Sequence, residues 1–167
     1  WYDLDYSDVI AIRRQFNDEK GRYHLIPSSV TDLRWIDMIT DKTGQVLIIA
    51  EGLFMYLHED EVKSLLLKLQ QTFPGSSLVF DCFSRYAAKR MANHPSMQKT
   101  GAVVSWGIDN AKVIERWNRG ILLLEEWYFT KSDEIKKLDP LYRILFKIAR
   151  LFPVANKAHR ILAFRLD

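Results

Sequence analysis

Three acidic residues each come at or shortly after the end of a short apolar segment. Asp5 closes the first segment, Asp32 comes soon after the second, and Glu51 directly follows the third. A carboxylate at the end of a strand can accept two hydrogen bonds from a ribose diol. Asp32 could instead accept from an adenine amino group while the backbone of Leu33 faces the ring. The spacing therefore predicts a site for a nucleoside.

Each of these acids also has an ordinary structural interpretation. Asp5 could cap a helix or remain a surface acid, and Asp32 could cap the short helical turn that follows it. Glu51 is expected at a buried edge, where an unpaired carboxylate costs free energy, so it could form a structural salt bridge. The residue types alone leave these alternatives open.

The sequence lacks the other common signatures of a nucleotide or metal site. No two of its seven glycines lie within three residues of each other, which excludes a G-x-G loop and a P-loop. The four histidines and the single cysteine are scattered, so no cluster has metal-ligand spacing. No G-x-S-x-G elbow occurs. The sequence therefore offers acids that could bind a nucleoside but lacks the glycine-rich loop that would complete a nucleotide site.

The elements that must position these acids alternate between strand and helix. Predicted strands cover 1–5, 23–26, 45–50, 77–83, 121–129 and 160–166. Ser7 is predicted to cap the first helix, and Thr31 or Asp32 to cap a short helical turn through Ile39. Further helices are predicted over 59–73, 84–93 and 110–118, and from Asp139 onward. This alternation favours a mostly parallel sheet with helices on both faces. In such sheets ligands bind outside the carboxyl ends of the strands, where the three acids are expected.

Three segments carry definite packing predictions. The strand over 45–50 is continuous and apolar, so burial on both faces is expected. The helix over 59–73 and the helix that opens at Asp139-Pro140 each have an apolar stripe. The stripes consist of Val62, Leu65, Leu66, Leu69 and Phe73 in the first helix, and of Leu141, Ile144, Leu145 and Ile148 in the second.

Composition places the chain among ordinary globular domains. Its 167 residues are 48% hydrophobic and 27% charged, which predicts one domain over 1–167. The apolar runs are too short for a membrane span, and one cysteine cannot form an internal disulfide, so a cytoplasmic location is expected. Residues 1–61 carry a net charge of −6 and residues 62–167 a net charge of +9. Because the basic residues are spread out, solvated helix faces are favoured over a nucleic-acid or membrane surface.

Several motifs can be compared with known families. They are YDLD at 2–5, SDVI at 7–10, VTDL at 30–33, LIIAEGLFMYL at 47–57, VFD at 79–81 and WGID at 106–109. Together they resemble the leucine carboxyl methyltransferase family, and more closely its bacterial branch, which includes the tetracenomycin polyketide synthesis O-methyltransferases. The chain departs from the family at Ser7, where proline is usual.

The resemblance implies an α/β fold with a Rossmann-like sheet that binds S-adenosylmethionine. By that resemblance Asp5 holds the ribose, Asp32 and Leu33 contact the adenine, and Glu51 lines the cofactor site. Met55 and Tyr56 would contact the methyl acceptor. No metal is implied.

The implied activity is O-methyl transfer to a carboxylate or hydroxyl of a small, polyketide-like molecule, or less readily to a protein C-terminus. A hydroxyl acceptor would benefit from a general base, for which Asp81 and His58 are candidates with structural alternatives. Neither a nucleic-acid nor a membrane partner is expected. The alternative functions are an inactive methyltransferase-like binding scaffold and a nicotinamide-dependent oxidoreductase.

The resemblance also implies that part of the fold lies upstream of Trp1. The family's glycine-rich loop would lie there, with the central strand between those that end at Asp5 and Glu51. A chain without this strand would expose unpaired backbone edges. We therefore expect a C-terminal fragment lacking the first strand, in which the slot is filled by the missing N-terminal segment or by a second copy in a homo-oligomer.

Overall fold

A computed structural model of the chain describes residues 1–17, 19–42, 44–93 and 95–167. The strands are β1 (Tyr2–Asp5), β2 (His24–Pro27), β3 (Leu47–Ala50), β4 (Ser76–Phe83), β5 (Ile121–Tyr128) and β6 (His159–Leu166). The α-helices are α1 (Ser7–Arg13), α2 (Glu59–Thr72), α3 (Arg85–Ala92), α4 (Pro95–Thr100), α5 (Lys112–Glu115), α6 (Pro140–Leu151) and α7 (Pro153–Asn156). Short 3-10 turns cover Leu33–Met38, Phe54–Tyr56, Phe129–Lys131 and Asp133–Lys137.

The strands form two separate sheets. β1 pairs in parallel with β2, and the second sheet has the order β3-β4-β6-β5. β3 is parallel to β4, whereas β6 runs antiparallel to both β4 and β5. The α/β fold class is confirmed, but the parallel character predicted for the sheet holds only for the first four strands.

A cleft separates the two sheets at the position expected for the central strand. Its volume is about 420 Å³, and consecutive residues of both flanking strands line it, from Trp1 to Leu4 and from Val46 to Ala50. In the described part of the chain β1 pairs only with β2, and β3 only with β4. Each of these strands therefore has one edge without a strand partner, and the sheet is interrupted between Asp5 and Glu51.

The core confirms the stripe predicted for α2. Its members Val62, Leu65, Leu66, Leu69 and Phe73 are all at most 2% exposed. They belong to one cluster with the inward side chains of β4 and β6, including Phe80 and Phe164, whose rings stack at 5.8 Å. Burial of this stripe fixes α2 against the sheet. It also holds the segment between β3 and α2, which leads into the first turn of the helix.

Two of the packing predictions are wrong for the described chain. In β3, Leu47 is 61% exposed and Ile49 56% exposed, so one face of the strand is open. The stripe predicted for α6 is also exposed, with Leu141 at 66% and Ile148 at 47%. Apolar periodicity shows that a face suits burial, but a second surface must cover it. No described element covers either face.

Some element ends also differ from the prediction. Ser7 is the first residue of α1 rather than its cap, and Tyr6 holds the cap position. The helix predicted from Asn110 is reduced to the single turn Lys112–Glu115. Among the described residues no helix is long and apolar enough to cross a membrane.

Candidate functional site

Asp5 lies at the carboxyl end of β1, beside the end of β2. It is half-buried and opposite Pro27 in the strand register. Its backbone oxygen accepts from the Ser28 amide at 2.9 Å, and its Oδ1 accepts from the Tyr6 amide at 2.8 Å. The helix-cap interpretation is wrong, because Tyr6 holds the cap position of α1 and no side chain caps the helix. Within the described ranges no hydrogen bond to Asp5 Oδ2 is found, so this oxygen can accept from a ligand.

Asp32 adopts the structural role that the sequence left open. Its side chain accepts from the Arg34 amide at 3.3 Å and so caps the turn Leu33–Met38. It also binds the Arg34 guanidinium through two contacts of 2.5 and 2.8 Å. The hydrogen bonds from Arg34 lower the pKa of Asp32 below its ordinary value. Arg34 is 88% exposed, so solvent screens this pair and a ligand could displace the guanidinium.

Glu51 is exposed, which corrects the prediction of a buried edge. Across the described ranges it forms no ion pair, so the salt-bridge interpretation has no support there. Gly52, which is also exposed, has a φ of 61° that turns the chain sharply after β3. Glu51 directly follows Ala50, which lines the cleft, and its exposed carboxylate can accept hydrogen bonds from a ligand.

Asp81 and His159 form a pair that joins β3, β4 and β6. Asp81 Oδ1 accepts from the Gly52 amide at 2.6 Å, and its Oδ2 lies 2.7 Å from His159 Nε2. Asp81 is 8% exposed, whereas the His159 side chain is 38% exposed. The pair connects the turn after Glu51 directly to a histidine at the same edge of the sheet.

The environment of Asp81 favours its ionised form. Burial raises its pKa, but hydrogen bonds with His159 and the Gly52 amide outweigh this, and the pKa lies below its ordinary value of 3.8. Asp81 is a base candidate in the sequence, whereas no sequence pattern pointed to His159. The two residues are 78 positions apart, and they meet because Phe83 of β4 pairs with His159 of β6.

The lowered pKa of Asp81 makes a prediction about stability. A carboxyl with a folded pKa below its unfolded value stabilises the fold at pH above about 3.8, and this contribution is lost as pH falls through the folded value. We expect Asp81→Asn to lower the free energy of unfolding at pH 7 by about 1–2 kcal/mol. Well below pH 3.8 the difference from the wild type should shrink.

Urea unfolding at several pH values measures this effect. Asp37→Asn is the matched control, because Asp37 is exposed and carries no such pair. A loss for Asp81→Asn that stays constant from neutral to acidic pH would contradict the assignment.

The WGID motif holds the end of β4 and the start of α3. The Ile108 amide donates to the Phe83 carbonyl at 2.8 Å, and Asp109 Oδ1 accepts from the Arg85 amide at 3.0 Å. A Cβ on Gly107 would lie 2.9 Å from the Ser84 carbonyl oxygen, so the close approach requires glycine. The motif is therefore structural support for the edge that carries Asp81.

The residues predicted for acceptor binding are in different environments. Met55 is 6% exposed in a small core cluster with Ala88 and Val104, and its carbonyl accepts from the Ser105 amide. Tyr56 is 39% exposed. The backbone amide of His58 donates to Glu61 at the start of α2, which is a structural role.

The chain is similar in sequence to two curated methyltransferases. No family model matches the chain. Over 164 residues it is 28% identical to the tetracenomycin polyketide synthesis O-methyltransferase TcmP of Streptomyces glaucescens, a match that covers 98% of this chain and 60% of TcmP. It is 31% identical over 140 residues to the S-adenosyl-L-methionine-dependent methyltransferase dpfgK of Gibberella zeae, covering 77% of this chain and 47% of that protein. The resemblance to the tetracenomycin-type branch is confirmed.

Solved structures show the fold. A DUF574 family protein from Streptomyces avermitilis superimposes with a TM-score of 0.65 at 14% identity, covering 99% of this chain and 64% of the other. A SAM-dependent methyltransferase from Anabaena variabilis gives 0.60 at 12% identity, covering 99% and 68%. The fold is that of the S-adenosylmethionine-dependent methyltransferases, and the chain spans less than two thirds of the length of both curated relatives.

Proposed function

We propose that this polypeptide is part of an S-adenosylmethionine-dependent O-methyltransferase that acts on a small, polyketide-like molecule in the cytoplasm. The observation that carries the proposal is the interrupted sheet. β1 and β3 flank one cleft. β1 ends at Asp5 and Glu51 directly follows β3, and both acids can accept further hydrogen bonds. The names of the relatives supply the reaction class.

The donor and acceptor groups of this edge fit the nucleoside half of the cofactor. Asp5 Oδ2 and the Glu51 carboxylate are acceptors, and ribose hydroxyls are donors. Asp32 would exchange its exposed contact with Arg34 for the adenine amino group, and half-buried Leu33 would lie against the ring. We assign these four residues to the cofactor, and Met55 and Tyr56 to the acceptor side. When bound, the cofactor supplies a methyl group on a sulfonium.

We further propose that the cleft between β1 and β3 takes a β-strand from a longer form of this polypeptide. Support comes from the two facing strand edges, from the apolar lining of the cleft, and from the greater length of the relatives. A strand placed there would hydrogen-bond to both edges, and its side chains would pack beside Leu47 and Ile49, which are more than half exposed. The same strand would close the site between Asp5 and Glu51.

Isothermal titration calorimetry with S-adenosylmethionine tests the proposal. We expect strong binding to a longer polypeptide that includes the additional strand, and much weaker binding to residues 1–167. Asp5→Asn and Glu51→Gln should each weaken binding about tenfold or more, because each removes a charged hydrogen-bond acceptor. Asp37→Asn, an exposed acid elsewhere, should leave the affinity unchanged.

Each other result has a definite meaning. Binding by neither form would reject the enzyme and favour the inactive scaffold. Equal binding by both forms would reject the role of the additional strand. Unchanged affinity in both acid variants would remove Asp5 and Glu51 from the site.

A further inference from the structure

We infer that Asp81 is a positioning residue for the cofactor site: it holds the backbone of the turn that carries Glu51, and it does not touch the cofactor itself. This inference rests on the proposed function, in which the Glu51 carboxylate accepts from the nucleoside half of S-adenosylmethionine. It deepens that function by assigning a task to a buried acid at the edge of the site.

Asp81 is placed to hold protein groups rather than to meet a substrate. Its Oδ1 accepts from the Gly52 amide at 2.6 Å, and its Oδ2 lies 2.7 Å from His159 Nε2. Only 8% of the residue is exposed, and both carboxylate oxygens are engaged. A general base must reach the proton that it removes, so these contacts suit Asp81 to positioning instead of catalysis.

The turn after β3 needs an anchor of this kind. Gly52 adopts a φ of 61°, and glycine restricts the backbone less than any other residue. Glu51 and Gly52 are both exposed, so burial does not hold them in place. The hydrogen bond to Asp81 therefore ties this exposed pair to the buried part of β4.

Strand register explains how Asp81 reaches the turn. Ala50, the last residue of β3, is paired with Phe80 of β4, and Asp81 is the next residue along β4. Beyond this point β3 has ended, whereas β4 continues to Phe83. The Asp81 side chain is thus available to the first residues after β3, which are the residues that carry the Glu51 carboxylate.

The same turn forms part of the rim of the cleft between β1 and β3. Ala50 and Leu53, which flank Glu51 and Gly52, both line the cleft. A change in the backbone at Gly52 would therefore move the Glu51 carboxylate relative to a ligand at this edge. Binding groups must be held within about 0.5 Å of their productive positions by supporting hydrogen bonds, and Asp81 supplies one.

His159 holds the second oxygen of Asp81 from β6. The rings of Phe83 and Phe129 pack on its imidazole with centroids at 4.6 and 4.7 Å, which restricts the imidazole. Burial raises the pKa of Asp81, but the hydrogen bonds with His159 and the Gly52 amide outweigh this and keep the carboxyl ionised at neutral pH. An ionised acceptor binds the Gly52 amide more strongly than a neutral one would.

A double-mutant cycle in S-adenosylmethionine binding tests the role. Isothermal titration calorimetry is performed on the longer polypeptide with Asp81→Ala, Glu51→Gln and both changes together. We expect Asp81→Ala to weaken binding about tenfold by itself and to add almost nothing to Glu51→Gln, because Asp81 acts through the Glu51 carboxylate. Asp81→Asn should retain most of the affinity, since its side-chain oxygen can still accept from Gly52.

NMR of the same polypeptides gives a signature that needs no cofactor. A hydrogen bond of 2.6 Å to a carboxylate moves an amide proton downfield, so the Gly52 proton should move upfield in Asp81→Ala. It should keep most of its shift in Asp81→Asn. Circular dichroism checks that each variant is folded. If Asp81→Ala does not fold, His159→Gln replaces it in the cycle, with a smaller loss expected in the same pattern because only Oδ2 is released.

Asp109→Ala is the matched control. Asp109 also accepts from a backbone amide near the end of β4, that of Arg85 at 3.0 Å, but this bond does not involve the Glu51 turn. Any loss of affinity in Asp109→Ala should be equal with and without Glu51→Gln. The inference is overturned if the Asp81→Ala loss is likewise equal in both backgrounds, or if the Gly52 shift is unchanged. Failure of the unsubstituted longer polypeptide to bind the cofactor would instead reject the proposed function.

Discussion

Replacing Arg160 with leucine is expected to lower the free energy of unfolding by about 3–5 kcal/mol, because the change breaks a buried charged network by removing one partner. Arg160 is fully buried in β6. Its guanidinium donates to the Ile108 carbonyl and, at 3.2 Å, to the Asp109 carbonyl, and it lies 3.5 Å from the Glu126 carboxylate. Leucine would leave all three of these acceptors without that donor.

One feature of the Arg160 side chain reduces the loss of unfolding free energy expected for the leucine variant. Among the described residues the Nε of Arg160 has no hydrogen-bond partner, so the wild type already carries one unsatisfied buried donor. Leucine removes that cost, but Glu126 would remain as a largely buried carboxylate, with 22% of its side chain exposed and Tyr128 as its other partner at 2.5 Å. Losing the counter-charge outweighs relief of a single N–H.

Arg165→Leu is the matched control on the same strand. Arg165 is 42% exposed and pairs with Asp167 at 3.0 Å, and exposed pairs of this kind contribute at most about 1 kcal/mol. Urea unfolding of the two variants at neutral pH gives the comparison. If both variants lost a similar free energy of unfolding, the contacts of Arg160 with the 106–109 loop would not be what stabilises the fold.

Replacing Phe80 with alanine is expected to lower the free energy of unfolding by about 3–5 kcal/mol, since it removes a large buried ring and leaves a cavity. Phe80 is 1% exposed in the middle of β4. Its ring contacts those of Phe54 at 4.7 Å, Phe164 at 5.8 Å and Trp106 at 6.4 Å between centroids. Because the three partner rings come from three segments other than β4, the site cannot collapse without moving the sheet or the loop after α4.

Phe16→Ala is the control for this prediction, because Phe16 is 79% exposed. We expect its effect to stay within about 0.5 kcal/mol. The loss of unfolding free energy in Phe80→Leu should lie between those of Phe80→Ala and Phe16→Ala, because leucine keeps most of the apolar volume. Thermal or urea unfolding measures all three, and a Phe80→Ala loss no larger than that of Phe16→Ala would be inconsistent with a core centred on β4.

Local signals in the sequence predicted a large part of the molecule. The stripe of α2, the cap at Asp32 and the helix predicted over 84–93 all depend on residues within a few positions of one another, and the structure contains each of them. The motifs at 2–10, 30–33 and 47–57 were sufficient for the resemblance to methyltransferases, since they are contiguous in the chain. The interruption between β1 and β3 was likewise expected, because the resemblance implied that the central strand lies outside these motifs.

What the sequence determined by itself was the position of most strands and longer helices and the acids at the ends of the first and third strands, because periodicity and capping act over one or two turns of chain. Only the tertiary structure decided which side chains meet. Strand register brought Asp81 to His159 across 78 positions, and antiparallel pairing buried Arg160 against a distant loop. Whether an apolar face is covered was also decided there, as Ile148 and Ile49 show, because burial needs a second surface that periodicity cannot supply.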